Sequence, residues 1–164
     1  MSVQYLLYSI TLSFVSWTVG ALVAERFHTR SWVQQWLKRL NLLPSEKVNR
    51  LLGVGTFRWV VVHTFFSVFN PKLNLKAGKT RDDLVRLREE MTKAELGHWI
   101  GFLFMLLVSL VLVCLHHTAF AGIVCLVNGI LNLYPALLQQ YNKRRLDPIL
   151  ERYSRRQNGQ NTVP

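Results

Sequence analysis

The chain has 164 residues, half of them hydrophobic and 18% charged, with 20 Lys and Arg against 9 Asp and Glu for a formal net charge of +11. This length allows one domain of modest size, the apolar content excludes a disordered chain, and the only cysteines, Cys114 and Cys125, sit in apolar runs, which excludes a disulfide-stapled secreted domain. No Lys or Arg occurs in 1–25 or in 94–142, so the charge is not distributed as on a soluble nucleic-acid binder, and the composition is that of a small polytopic membrane protein with basic loops on one side.

Tyr5–Ala24 is uncharged, and about 20 residues of helix match the hydrocarbon thickness. A cleaved signal peptide would carry a basic n-region, and only Met-Ser-Val-Gln precedes the run, so a retained anchor helix is predicted. Ser9, Ser13, Ser16 and Gly20 share one face of it, a spacing that lets another helix approach closely, either within the chain or from a second copy. Residues 31–40 place Trp32 and Trp36 on one side of a short helix with basic flanks, as expected of a helix lying at the headgroups.

Leu51–Phe69 is ambiguous. Arg58 lies near its middle, Gly53 and Gly55 loosen its start, and Asn70-Pro71 ends it. The basic segments 25–50, 71–97 and 143–164 all belong in the cytoplasm by charge bias, and a full span between the first two would separate them. A re-entrant or interfacial segment over 51–70 keeps them together; a fourth full span is the alternative. Thr80 and Asp83 form a capping-box variant at a helix start, and Leu84, Leu87, Met91 and Ala94 make an apolar stripe leading into a span at His98–Leu115. His116-His117-Thr118 reads as a short polar turn with no metal-ligating company, and Ala119–Leu138 runs back. The expected fold is an all-α integral membrane protein. It has about three transmembrane helices, the segment at 51–70 and cytoplasmic amphipathic helices. The N-terminus is outside and the C-terminus inside. Residues 1–156 are expected to be a single membrane domain and 157–164 a disordered tail.

The polar residues inside the apolar hairpin carry the functional reading. Asn128, Asn132, Gln139 and Asn142 fall near one helix face with Pro135, and lipid offers such side chains no partner. They belong either to an interhelical hydrogen-bond seam or to a substrate site. Glu95 and His98, three residues apart, share a helix face, and a carboxylate beside an imidazole suits general-base chemistry, although a satisfied structural His would look the same. Glu95, His98, Gln139, Tyr141, Asn142 and Arg145 all fall at the cytoplasmic end of the hairpin, joined by Arg58 and His63 if 51–70 is re-entrant. Arg58 and Arg145 are candidates for holding a phosphate, with an Arg58–Glu95 ion pair as the plainer account of Arg58. No Gly-rich phosphate loop, G-x-S-x-G elbow or H-E-x-x-H pair occurs, so dehydrogenase, nucleotidase, serine esterase and zinc peptidase chemistry have no support.

Two blocks carry a resemblance. One is Met91-Thr92-Lys93-Ala94-Glu95-Leu96-Gly97-His98-Trp99; the other is Asn132-Leu133-Tyr134-Pro135 followed by Gln139-Gln140-Tyr141-Asn142-Lys143-Arg144-Arg145-Leu146. They resemble the small membrane acyltransferases of carotenoid glycoside synthesis, the glycosyl-4,4'-diaponeurosporenoate acyltransferase type, with a weaker match at Leu52–Arg58. Gln140 replaces a usual Arg and Arg144 a frequent Pro. The resemblance implies esterification of a sugar hydroxyl on a glycolipid or isoprenoid glycoside by a fatty acyl group, within lipid metabolism such as carotenoid biosynthesis, and the charge bias puts that reaction at the cytoplasmic face of the inner membrane. The acyl donor would be a co-substrate such as acyl-CoA or acyl carrier protein, with no bound cofactor or metal. On chemical grounds His98 is the expected base and Glu95 its orienting partner. Arg58, His63, Asn132, Tyr134, Gln139, Tyr141, Asn142 and Arg145 are the expected substrate-binding residues. Partners would be membrane lipid and acyl donor, not nucleic acid, with a homo-oligomer or a membrane synthetic complex able to supply a missing wall. Two rival readings are another lipid-tailoring transferase, such as a methyltransferase, and a non-catalytic lipid-binding or assembly subunit.

Overall fold

The computed structural model describes residues 2–40, 50, 53–63 and 80–160. The described secondary structure is helical: α1 (Ser2–Phe27), α2 (Ser31–Arg39), α3 (Val54–His63), α4 (Arg81–Cys114), α5 (Thr118–Asn128), a π-helical turn at Gly129–Leu133, and α6 (Tyr134–Gln160). Among the described residues three helices are long and apolar enough to cross a membrane: Val3–Phe27, Arg81–Cys114 and Thr118–Arg155. The protein is therefore an all-α, multi-pass membrane protein. Of the ambiguous Leu51–Phe69 stretch, Val54–His63 is helix; 51–52 and 64–69 lie outside the described residues, and so does the question of re-entry. Helix α6 reaches Gln160, four residues into the segment expected to be a tail, and 161–164 lie outside the described residues.

Local chemistry explains the helix ends. At the start of α4 the Thr80 backbone N–H and hydroxyl donate to Asp83 Oδ2 at 3.0 and 2.8 Å, and the Asp83 N–H donates to Thr80 Oγ1 at 3.2 Å. This is the expected reciprocal cap, with Asp in place of the usual Glu or Gln. The helix then runs unbroken for 34 residues, about 50 Å, so its charged first turns extend beyond a hydrocarbon core about 30 Å thick. Its other end closes with His116 at φ 62°, His117 N–H donating to Leu112 O at 2.8 Å and His116 N–H to Val113 O at 3.0 Å. That pair of bonds is a Schellman closure with histidine where glycine is usual.

The chain forms two compact units, residues 1–42 with 93–137 and residues 43–92 with 138–164, so α4 and α6 each contribute to both. Beside its buried apolar residues, the first unit buries polar side chains and exposes large apolar ones. Ser9, Ser13, Ser16, Ser109, Asn128 and Asn132 are buried, whereas Leu7, Phe14, Leu22, Leu107, Leu110 and Leu126 are exposed. Lipid tails are as apolar as leucine, so close packing and interhelical hydrogen bonds, rather than apolar burial, hold such helices together. The serine stripe of α1 packs within the chain, which decides between the two partners the sequence allowed. At Gly20 the α1 backbone lies so close to α4 that a Cβ would run into the Gly97 carbonyl. Tyr5 stacks on Phe120 with centroids 4.7 Å apart, and Ser109 Oγ donates to Ala121 O at 2.8 Å, tying α4 to α5. Lys93 pairs with Glu25 at one edge of this unit.

Helix α2 turns Val33 and Leu37 inward against Ala24, Leu96, Trp99 and Ala136, and leaves Trp32 and Trp36 exposed. The outward tryptophans are the face expected at the headgroups. In the second unit Leu84 and Met91 of α4 pack on Leu146 of α6, with Leu87, Ile149 and Leu150 around them, and Arg88 Nε donates to Asp147 Oδ1 at 2.6 Å. The stripe read from Leu84, Leu87 and Met91 is thus the packing face of that stretch.

Candidate active site

In the first unit the polar residues of α1 and of the α5–α6 run meet in one seam. Asn128 Nδ2 donates to Phe102 O at 3.0 Å, and Asn132 Nδ2 donates to Asn128 Oδ1 at 3.0 Å and to Ser16 Oγ at 3.3 Å. Ser16 in turn donates to Ser13 O at 2.8 Å. Gly101 makes room for this group: a Cβ there would lie 2.6 Å from Asn132 Oδ1 and 3.2 Å from Ser16 Oγ.

A proline accounts for the π-helical turn in the seam-bearing run. Pro135 has no N–H to give the carbonyl four residues back, and its ring crowds that carbonyl. The preceding turn, Gly129–Leu133, widens to a π-helix, a common accommodation that recurs at functional sites. The freed acceptor is Leu131 O, and Trp17 Nε1 of α1 donates to it at 3.1 Å. Inside a membrane a stranded carbonyl would cost several kcal/mol, so Trp17 supplies the partner that water would supply elsewhere.

His98 sits on α4 against this seam. Its half-buried ring meets Trp17 edge-on with centroids 6.1 Å apart and lies beside the Asn132 amide. Asn132 Oδ1 is buried and, among the described residues, completes no hydrogen bond; the indole N–H of Trp99 is in the same condition. Glu95, one turn before His98 on the same helix, is fully buried. The site therefore sets an imidazole beside a buried amide oxygen at the edge of the polar seam.

In the second unit the predicted residues Arg58, Tyr141 and Arg145 come together. The Arg58 guanidinium lies 6.0 Å and that of Arg145 5.7 Å from the centroid of the Tyr141 ring. Gln139 and Asn142 are buried, and Tyr134 is half-buried at the start of α6. His63 is exposed at the end of α3, with Nδ1 2.8 Å from Trp59 O and its ring stacked on Trp59.

The glycosyl-4,4'-diaponeurosporenoate acyltransferase family matches residues 26–152, most of the chain. The chain belongs to this family. No curated protein and no solved structure matches it. As a glycosyl-4,4'-diaponeurosporenoate acyltransferase family member, it is a membrane acyltransferase and works with an acyl donor and a membrane lipid.

The family match spans α2 to α6 and takes in both the His98 seam and the Arg58–Tyr141–Arg145 cluster. Trp17 and Ser16 lie before it, on α1. Trp17 is the residue of this site that pattern reading misses. Its signal was present as a proline in an apolar span, which frees a carbonyl four residues earlier and requires a donor from elsewhere. Asn128 spends its amide in the seam. Asn132 spends its amide nitrogen there, and its oxygen lies buried beside the His98 ring.

Proposed function

We propose that this protein transfers a fatty acyl group from a thioester carrier to a hydroxyl of a glycolipid or isoprenoid glycoside at the cytoplasmic face of the inner membrane. The observation that carries the reading is His98, an imidazole held beside the buried Asn132 amide within a membrane-spanning helical unit of an acyltransferase-family chain. An alcohol is a weak nucleophile at neutral pH and needs a base within hydrogen-bond reach. The imidazole nitrogen of His98 takes the hydroxyl proton as the alcohol oxygen bonds to the thioester carbonyl carbon. The carbon–sulfur bond of the resulting tetrahedral adduct breaks, and the departing sulfur takes the proton from the imidazolium. The products are the ester and a free thiol. Asn132 Oδ1 accepts a hydrogen bond from a second, non-reacting hydroxyl of the acceptor. Glu95 is the positioning residue for the ring.

The test supplies purified protein in lipid nanodiscs with a radiolabelled acyl thioester and a panel of glycolipids, then follows ester formation. A labelled ester on a sugar hydroxyl is expected. A panel that yields none, with folded protein and intact donor, would sink the reading.

The same proposal places 25–50, 71–97 and 143–164 in the cytoplasm, because their Lys and Arg content obeys the positive-inside bias. Single cysteines introduced in 41–50 and in 74–80 are expected to react with an impermeant maleimide only in inverted vesicles. Opposite labelling of the two would refute this orientation.

A further inference from the structure

We propose that Arg58, Tyr141 and Arg145 form a phosphate-binding site, with the carrier portion of the acyl donor as its ligand. Tyr141 and Arg145 are one turn apart on α6, so their contact alone is an ordinary local pairing. Arg58 is different. It arrives from α3, more than 80 positions away in sequence, and brings a second guanidinium to the same ring. Two like charges converging on one phenol repel each other, and the face of a ring offsets that only modestly at sites open to solvent.

A guanidinium carries five N–H donors and has no acceptor. The contacts with the Tyr141 ring, at 6.0 and 5.7 Å, are attractions to its face and spend none of those donors. Among the described residues neither Arg58 nor Arg145 makes a hydrogen bond or ion pair beyond the contact with Tyr141. By contrast Arg88 in the same unit is bonded to Asp147. Arg145 is exposed and Arg58 half-buried, so both forks are reachable from outside. Two reachable, unspent forks around a rigid platform suit a group with several anionic oxygens, and phosphate or diphosphate takes such bidentate donors well. A carrier such as coenzyme A presents a diphosphate. An anionic phospholipid presents the same chemistry from another source.

This inference rests on the acyl-transfer reading only for naming the donor as bearer of the phosphate. The test uses full-length protein in phosphatidylcholine nanodiscs and measures coenzyme A binding and the KM for acyl-CoA. Arg58→Gln and Arg145→Gln are each expected to weaken coenzyme A binding by about 10-fold or more, as for loss of a charge-assisted hydrogen bond, and to raise donor KM with acceptor KM unchanged. Neither substitution strands a partner, so both variants should fold, which their melting curves would confirm. Arg58→Lys keeps the charge but loses the fork, and is expected to recover only part of the affinity. Adding phosphatidylglycerol to the nanodiscs separates the sources. If it displaces coenzyme A from wild type but not from the variants, the phosphate site stands and accepts lipid headgroups as well. Wild-type affinity for coenzyme A in both variants overturns the site. Wild type that makes ester while donor KM is unmoved in both variants overturns the site and leaves the acyl-transfer reading intact. Wild type that binds coenzyme A through both arginines but forms no ester overturns the transfer reading and leaves the site.

Discussion

His98→Gln is expected to lower ester formation by about 10²–10⁴-fold, the span over which a positioned general base contributes to rate. Glutamine can still hydrogen-bond beside Asn132 but offers no nitrogen that accepts a proton at neutral pH. His98→Ala should lose as much, and the two together separate proton transfer from simple space-filling. The ring is half-buried and meets Trp17 by its edge, so a melting curve for each variant in detergent separates lost chemistry from lost packing. Glu95→Gln should cost less in rate than either, because a positioning residue is partly replaced by an amide of the same shape. Asn132→Leu is a poorer probe, since it would also strip donors from the Ser16 and Asn128 oxygens. Full ester formation by folded His98→Gln protein would remove His98 from the chemistry and leave the acyltransferase assignment resting on family membership.

Gly20→Ala should destabilise the protein, and Gly97→Ala should not, although the two glycines face each other across one helix crossing. A Cβ on Gly20 would drive into the Gly97 carbonyl, a backbone atom that cannot rotate away, so α1 would have to move off α4. Overpacking of this kind typically costs about 1–3 kcal/mol. A Cβ on Gly97 meets its nearest neighbours, the Gly20 carbonyl carbon and oxygen, at 3.5 Å, an ordinary van der Waals distance. Alanine there also favours the helix by up to about 1 kcal/mol in a soluble host. Thermal melting in detergent, with ester formation as a second readout, should show a clear loss for Gly20→Ala and none for Gly97→Ala. Equal behaviour of the two would contradict the close crossing.

Periodicity and charge placement are local properties of a chain, and they carried the helices. An uncharged stretch of about 20 residues has few ways to satisfy its backbone in lipid other than a helix. The reciprocal Thr80–Asp83 cap and the reversal at His116 are equally local, each closed by groups within a few residues. What pattern reading left open was partnership. Ser9, Ser13, Ser16 and Gly20 are readable as a close-packing stripe, but nothing in the stripe says whether it meets a helix of the same chain or of another copy. Gly97 and Asn132 decide that, from 77 and 116 positions away from Gly20 and Ser16 respectively.

The amides show the same division. Asn128 and Asn132 had to face something polar, and that follows from the lipid alone. Their actual partners, Phe102 O and Ser16 Oγ, depend on how α1, α4 and α5 cross. Trp17 was silent in the sequence because an indole in an apolar span is unremarkable until the carbonyl freed by Pro135 is placed against it. Arg58 was an anomalous charge in an apolar stretch, and only the packing of α3 on α6 turned it into one of two arginines around Tyr141. Composition and spacing by themselves determined that this is a helical membrane protein with polar groups that lipid cannot satisfy. The tertiary structure alone decided which of those groups are used up in holding helices together and which still have an atom to offer, because hydrogen bonds form between neighbours in space, and helix crossings, not sequence intervals, make the neighbours.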